Sequence, residues 1–141
     1  MAINSPDGLN AVVSGYTGDL WIYDWASHSL AAPIPIPGAA SVLGISFDQS
    51  TPSMLYIGTT NPYEYRTSDL GQNLQKFGGG LPASVLTVVA DPVAPGIVKA
   101  AAGPDLYTTD PGKNFDPDAP LWFPIGNGLP GADIMCLVHD P

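Results

Sequence analysis

Apolar residues along this chain fall in short runs, and turn-forming residues separate the runs. Three of the runs end alike, at Ser41–Asp48, Ser84–Asp91 and Asp133–Asp140. Each run consists mainly of β-branched or apolar residues, which is typical of a strand buried on both faces. Each run ends at an aspartate. No segment carries the i, i+3, i+4, i+7 apolar spacing of an amphipathic helix. The pattern therefore predicts an all-β protein.

The remaining strands repeat in register with these runs. A second strand is matched at Ala11–Gly15, Met54–Gly58 and Ile97–Ala101, a third at Leu20–Asp24, Tyr65–Asp69 and Leu106–Asp110, and a short fourth at Ala32–Ile36, Leu74–Phe77 and Leu121–Pro124. The closing aspartates Asp48, Asp91 and Asp140 lie 43 and then 49 residues apart. Four short strands in a unit of roughly 45 residues indicate a β-propeller blade. A β-sandwich also uses short strands, but it does not predict matched segments at one period.

We expect a single domain over residues 1–141, built of three degenerate blades of four antiparallel strands, at about 9–48, 49–91 and 92–141. The division is permuted by one strand. The chain enters the first blade at its second strand, Ala11–Gly15, and it ends on an inner-type strand, Asp133–Asp140. The first blade is therefore expected to have no inner strand, and the last inner strand to have no blade.

Three blades are too few to close a ring, because propellers usually have four to eight. Two copies arranged head to tail would give six blades, with Ile134–Val138 of one copy pairing beside Ala11–Gly15 of the other. An unpaired inner strand would expose a ladder edge that promotes aggregation. We therefore expect a six-bladed homodimer, with the ring closed by oligomerisation, and an unstable monomer.

Two repeats carry a shared motif, Thr67-x-Asp69-x-Gly71-x-x-Leu74 and Thr108-x-Asp110-x-Gly112-x-x-Phe115. The motif resembles the Asp-box (BNR) repeat of sialidase, sortilin, xyloglucanase and photosystem-assembly-factor propellers. The strong form of that repeat ends in Trp, so Leu74 and Phe115 are relaxed versions. In the first repeat Asp24 aligns with the box aspartate, but Ala26 stands where glycine is expected.

The resemblance implies that the motif is structural. An aspartate at a turn accepts hydrogen bonds from backbone N–H groups two residues on, and glycine adopts the positive φ that closes a hairpin. In the family these boxes lie on the outer rim of the propeller, away from its centre. We therefore expect structural turns at Thr67, Asp69, Gly71, Thr108, Asp110 and Gly112.

The chain is acidic, with a net charge of −9 from 13 acidic and four basic side chains. Binding to nucleic acid or to an anionic membrane surface needs clustered Lys and Arg, so neither partner is expected. No apolar stretch approaches the ~20 residues of a membrane span. The first residues lack the basic and apolar regions of a signal peptide, and the localisation stays open. Cys136 is the only cysteine, and its apolar neighbours predict a buried side chain.

Residues for catalysis are not apparent in the sequence. A sialidase needs several arginines for the substrate carboxylate, and Arg66 is the only arginine. Glycoside hydrolysis needs two carboxylates across a cleft, but the candidate acids sit mostly in turn contexts; they are Asp7, Asp19, Glu64, Asp105, Asp116, Asp118 and Asp133. His28 and His139 lie in unlike contexts and make a poor metal site. We expect no enzyme activity, no cofactor and no metal.

The favoured function is a structural or interaction module that oligomerises and docks on a larger assembly, such as a virion surface or a cell-surface layer. One alternative is a carbohydrate-binding lectin, since aromatic rings stack on sugars. Trp25 and Tyr63 are its candidate ligand-binding residues, because both lie beside polar or turn residues. The loops that follow the second strands differ between repeats, which disfavours a repeated sugar site. A second alternative is a fragment of an Asp-box glycoside hydrolase or assembly factor.

Overall fold

The structure is a computed structural model that describes residues 2–39, 41–60, 64–77, 81–110, 112, 121–126 and 131–138. Within these ranges the chain forms thirteen strands in three antiparallel sheets, and it forms no helix. A bilayer-spanning helix is accordingly not found in the described part of the chain. The all-β class predicted from the apolar runs is confirmed.

The first sheet contains five short strands. They are β1 (Ala2–Asn4), β2 (Asn10–Ser14), β3 (Asp19–Asp24), β4 (Ser29–Leu30) and β5 (Ile34–Pro35). The order is β1-β2-β3-β4, and β5 pairs with the beginning of β3.

The second and third sheets share one plan of four strands in sequence order. The second contains β6 (Val42–Phe47), β7 (Leu55–Thr59), β8 (Glu64–Thr67) and β9 (Gln75–Phe77). The third contains β10 (Val85–Ala90), β11 (Val98–Ala102), β12 (Asp105–Thr109) and β13 (Trp122–Pro124). Their inner hairpins have the same register and the same irregularity near the start of the inner strand.

The core consists of the two seams between neighbouring sheets. Alternate residues of a strand point to opposite faces, so each sheet offers one apolar face to each neighbour. Val12 and Leu20 of the first sheet pack with Leu55 and Ile57 of the second in one buried cluster. The opposite face of the second sheet packs on the third through residues that include Tyr56, Phe77, Val88 and Val98.

An aspartate begins the loop after each long inner strand. Asp48 Oδ1 accepts the backbone N–H of Ser50 at 2.8 Å, and Asp91 Oδ1 accepts that of Val93 at 3.0 Å. The backbone N–H of each aspartate then donates across the loop, from Asp48 to Met54 O at 3.0 Å and from Asp91 to Ile97 O at 2.8 Å. These repeated aspartates therefore fix a turn, as their position after an apolar run suggests.

The first sheet has an inner strand, contrary to the prediction from the sequence. β1 pairs with β2 through Ala2↔Val13, Ile3↔Val12 and Asn4↔Ala11. The backbone N–H of Ser5 donates to Asn10 O at 2.8 Å, as the repeated aspartates do in the other sheets. The strand is too short and too polar to stand out as an apolar run. The blade limits given above as 9–48, 49–91 and 92–141 stay a prediction.

Candidate interaction surfaces

The loop between β8 and β9 holds the first Thr-x-Asp-x-Gly motif in a network of hydrogen bonds. The Thr67 hydroxyl donates to Asp69 Oδ1 at 2.6 Å and accepts the backbone N–H of Gly71 at 2.9 Å. The backbone N–H of Asn73 donates to Asp69 Oδ1 at 2.8 Å, and its side-chain amide donates to Oδ2 at 2.6 Å. Gly71 has a φ of +95°, a backbone conformation that residues with a side chain rarely adopt. Thr67, Asp69 and Gly71 thus lie in one turn.

These bonds set the acidity of Asp69. The Thr67 hydroxyl, followed by the two donors of Asn73, lowers the pKa of the Asp69 carboxyl from 3.8 to about 2. A carboxyl whose pKa is lower in the folded state stabilises the fold above its ordinary pKa. This contribution is therefore complete above about pH 4 and is lost as the pH falls from 3.8 toward about 2.

We expect Asp69→Ala to lower the Tm by roughly 3–5 °C at pH 7, because the turn loses its acceptor. The effect should shrink at pH 2, where the wild-type carboxyl is itself partly protonated. Thermal unfolding followed by circular dichroism measures both values, and Asp105→Ala, an exposed carboxylate outside this network, is the control. An unchanged Tm together with loss of a binding partner would contradict the structural role.

The second motif differs from the first in register. The backbone N–H of Gly112 donates to Asp110 Oδ1 at 2.9 Å, but Thr108 bonds to the carbonyl of Thr109. Thr109 is the buried threonine here, and its hydroxyl accepts the N–H of Val98 at 2.8 Å. Thr109 therefore occupies the place of Thr67, one residue later than the equal spacing of the motifs predicts. Phe115 lies outside the described residues.

An aromatic group lies at one end of the stack, on the face of the first sheet that points away from the second. The pairs Val13↔Trp21 and Ala11↔Tyr23 alternate with the pair Val12↔Ile22, which packs toward the second sheet, and they therefore share the opposite face. The Trp25 ring stands edge-on to Tyr23, with 4.7 Å between centroids, and is 45% exposed. Exposure of Trp25 agrees with the expectation for a ligand-binding aromatic, a role that stays a prediction; Tyr63 lies outside the described residues.

Trp21 has counterparts that bind the neighbouring sheet. Register places Trp21 of β3 where Tyr65 lies in β8 and Tyr107 in β12. Tyr65 is buried against the first sheet, and its hydroxyl donates to the Pro37 carbonyl at 2.6 Å. Tyr107 packs on the cluster between the second and third sheets. Trp21 is the member of this set whose face receives no sheet from the described residues.

The outward face of the third sheet lies at the other end of the stack. It carries Lys99, Thr108 and Phe123, which pair across β11, β12 and β13. Lys99 Nζ lies 3.0 Å from Asp91 Oδ2, so its charge is compensated, and this contact is the main cause that lowers the pKa of Asp91 to about 2. Among the described residues of this face, the Lys99 charge is therefore balanced by Asp91.

The segment Ile134–Val138 runs beside the third sheet at the place of a further inner strand. The N–H of Ile134 donates to Gly103 O at 3.1 Å. Tyr16 and Thr60 are the equivalents of Gly103 in the other sheets, and each also anchors an inner strand. Ser41 Oγ donates to Tyr16 O at 2.9 Å, and Ser84 Oγ donates to Thr60 O at 2.6 Å. The predicted strand Asp133–Asp140 is not formed within the described residues, because 131–138 has no pairing partner there.

Equivalent positions of the inner strands meet along the centre of the stack. Leu43, Leu86 and Met135 line one groove of about 330 Å³, which Ser14 and Tyr16 also border. Ser46, Val89 and Val138 line a second groove of about 440 Å³ toward the other end of the same strands. Ile134–Val138 thus follows the direction and spacing of β6 and β10.

This segment exposes most of its apolar surface. Met135 is 73% exposed and Val138 is 87% exposed. Cys136 is exposed as well, so its predicted burial is wrong. Its neighbours in the sequence are apolar, which suggested burial, but they do not cover the Cys136 side chain in the folded structure.

The environment of Glu64 also differs from the sequence interpretation. Its position before a strand suggested a surface turn, but the side chain is only 1% exposed, and neither carboxyl oxygen has a partner among the described residues. It pairs with Gly58 and Phe77 on the face that packs against the third sheet. Burial raises the pKa of Glu64 well above 4.5. The indole N–H of Trp122, whose ring lies 6.1 Å from Phe77 in the same seam, also lacks an acceptor there.

We expect Glu64→Gln to make the fold more stable than the wild type at pH 7. A carboxyl whose pKa is raised in the folded state favours folding most below its ordinary pKa and costs stability as the pH rises through the folded value. The difference in Tm should therefore grow from pH 4 to pH 8. Differential scanning calorimetry across this range measures it, and Asp105→Asn is the matched control. Equal stability of the variant and wild type at every pH would contradict a buried, unpaired carboxyl.

Of the two histidines, only His28 lies within the described residues. It is exposed, with Nδ1 3.4 Å from the Tyr23 hydroxyl, and His139 lies outside the described residues. The described part of the chain brings no three His, Cys, Asp or Glu side chains together in a metal-binding group.

No family model matches the chain, and no curated protein matches it in sequence. The chain is similar to the crystal structure of the β-propeller domain of Cps50 (Swd1) from Myceliophteria thermophila, with a TM-score of 0.69 and 13% identity. The similarity covers 88% of this chain and 38% of that one, so this chain spans under two-fifths of the propeller it matches. The fold is thus a β-propeller whose three sheets are blades. The Asp-box resemblance stays a prediction.

Proposed function

We propose that the protein is a non-enzymatic β-propeller interaction module that associates with itself head to tail and docks on a larger assembly. The observation that carries this proposal is the pair of unequal end faces on the stack. The first sheet offers the aromatic face around Trp21 and Tyr23, and the third sheet offers the face around Lys99 and Phe123.

The two end faces are the same two kinds of surface that meet inside the molecule. At each internal seam, the later sheet contributes the face that holds its equivalent of Trp21. The earlier sheet contributes the face on its other side. A second copy placed after the third sheet would repeat this contact with Trp21 in the place of Tyr65. Two copies then give six blades and close the ring around a two-fold axis.

The charges of the end faces favour this contact over binding to a polyanion. The chain carries −9 overall, and on the third-sheet face Lys99 and Asp91 compensate one another. Two acidic copies repel one another at a distance, and added salt screens this repulsion. We accordingly expect association to strengthen as the salt concentration rises.

The described carboxylates support a structural protein over a hydrolase. Asp48, Asp69 and Asp91 are held in turns by backbone N–H groups, and Glu64 is buried inside a seam. A glycosidase instead needs two carboxylates that face one another across a cleft.

Light scattering coupled to size-exclusion chromatography tests the proposal. The chain has a mass of 14.6 kDa, and we expect a particle of twice this mass at micromolar concentration. Larger particles built of such dimers also support it. A stable, folded monomer under these conditions would overturn it.

The lectin alternative has one observation in its favour, the exposed Trp25 ring beside Tyr23. We expect at most weak glycan binding, which Trp25→Ala abolishes without changing the Tm, because one exposed ring offers a single stacking platform. A glycan array and titration calorimetry measure it. Strong binding with one sugar per blade would favour the lectin over the interaction module.

A further inference from the structure

We propose that Ile134–Val138 of one copy pairs with β2 of the next copy and takes the place of that copy's β1. The inference rests on the head-to-tail association proposed above and names the contact that completes it. It follows from three observations: the place of the segment, the register that this place sets, and the limited pairing of β1.

The segment already lies where an inner strand of a following blade belongs. It is anchored to Gly103 as β6 and β10 are anchored to the equivalent loops, and Met135 shares a groove with Leu43 and Leu86. The second strand that would pair with it is not supplied by the described residues. A strand with exposed apolar side chains and unpaired backbone groups is a template for another chain.

The partner strand is β2 of the next copy. It belongs to the first sheet, whose aromatic face fits the outward face of the third sheet. Transferring the register of β6 and β7 sets Ile134 opposite Gly15, Cys136 opposite Ser14 and Val138 opposite Val12. The same register sets Leu137 opposite Val13, the residue that β1 reaches with Ala2. The incoming segment and β1 therefore compete for one edge of β2.

The length of pairing favours the incoming segment. β1 pairs three residues with β2, whereas the transferred register gives the incoming segment four pairs with the same strand. The segment also gains cover for Met135 and Val138, which correspond to the half-buried Leu43 and Ser46 of β6. Longer pairing and burial of apolar surface both stabilise the exchanged form.

Cys136 allows a direct test, since it is the only cysteine of the chain and is exposed. In Ser14→Cys, the register brings the new thiol opposite Cys136 of the other copy, at a separation that a disulfide can bridge. Mild oxidation of the intact protein followed by non-reducing electrophoresis should give a band at twice the chain mass. The matched control is Val13→Cys, whose side chain points to the opposite face. We expect about tenfold less cross-linked dimer from this control, and none from Ser14→Cys combined with Cys136→Ser.

Ile3→Asp provides a second measurement that does not depend on a new thiol. Ile3 packs against the core through β1, so Ile3→Asp weakens the hold of β1 on the edge of β2 within one copy. Because the incoming segment competes for that edge, the variant should dimerise more tightly than the wild type, with a dissociation constant lowered by about tenfold. A dimer that keeps β1 in place loses the same contact as its monomer, and its dissociation constant would stay unchanged.

The outcomes separate the two proposals. A dimer whose Ser14→Cys form does not cross-link, or cross-links only within one chain, overturns the strand exchange and leaves the head-to-tail association standing. A dimer whose dissociation constant Ile3→Asp leaves unchanged or raises also overturns the exchange. A protein that remains monomeric overturns the association itself.

Discussion

Gly44→Ala is expected to lower the free energy of unfolding by about 3 kcal/mol, because the added methyl group would collide with the backbone of a neighbouring strand. Gly44 lies in β6 where the inner strands of the second and third sheets come into contact. A Cβ at this position would stand 2.8 Å from the Thr87 Cα and 2.9 Å from the Val88 backbone nitrogen. Backbone atoms cannot move aside as a flexible side chain can, so β6 and β10 would have to separate.

Urea unfolding of the wild type and variant measures this difference. Gly131→Ala is the matched control, because a Cβ there meets no atom within 4 Å and the backbone does not have a positive φ. We expect the control to change stability by less than about 0.5 kcal/mol. A Gly44→Ala protein as stable as the wild type would show that the two inner strands do not pack as closely as the structure has them.

Trp21→Asp is expected to weaken self-association by about 100-fold, which leaves monomers at micromolar concentration. In the proposed dimer Trp21 takes the place of Tyr65 in the seam, and large aromatic residues at the centre of an interface contribute most to binding. A carboxylate there would be buried without a partner. Sedimentation velocity over a range of concentrations measures the dissociation constant.

Val93→Asp is the control for Trp21→Asp, since Val93 is 75% exposed and lies in the loop after β10, in the third sheet and not on the aromatic face of the first. It adds the same charge and should leave the dimer unchanged. Tyr23→Ala is a milder second variant on the aromatic face, in case Trp21→Asp does not fold. An unchanged dissociation constant in both Trp21→Asp and Tyr23→Ala would remove the first-sheet face from the interface.

Much of the blade pattern could be predicted because it depends on local chemistry. The runs that end at Asp48 and Asp91 are apolar, and the aspartates fix the turn through their own backbone neighbours. The first inner strand could have been found by the same rule. Ser5 stands 43 residues before Asp48 and is followed by Pro6, Asp7 and Gly8, which predict a turn after a strand.

The two Thr-x-Asp-x-Gly motifs show that equal spacing in sequence does not fix which residue is buried. Thr67 and Thr108 hold equal places in sequence, but pairing with β11 sets Thr109, not Thr108, on the buried face of its strand. A shift of one residue exchanges the two faces of a strand. The neighbouring strand therefore decides which threonine faces the core.

By itself, the sequence determined the all-β class, the repeat of short strands and the turns, because strand alternation and turn chemistry act within a few residues. The tertiary structure alone decided that Glu64 is buried and that Cys136 is exposed. Both depend on whether another sheet covers the position, and a covering sheet comes from distant parts of the chain. The third sheet covers Glu64, whereas Cys136 lies on a segment beyond the third sheet that no further sheet of the described chain covers.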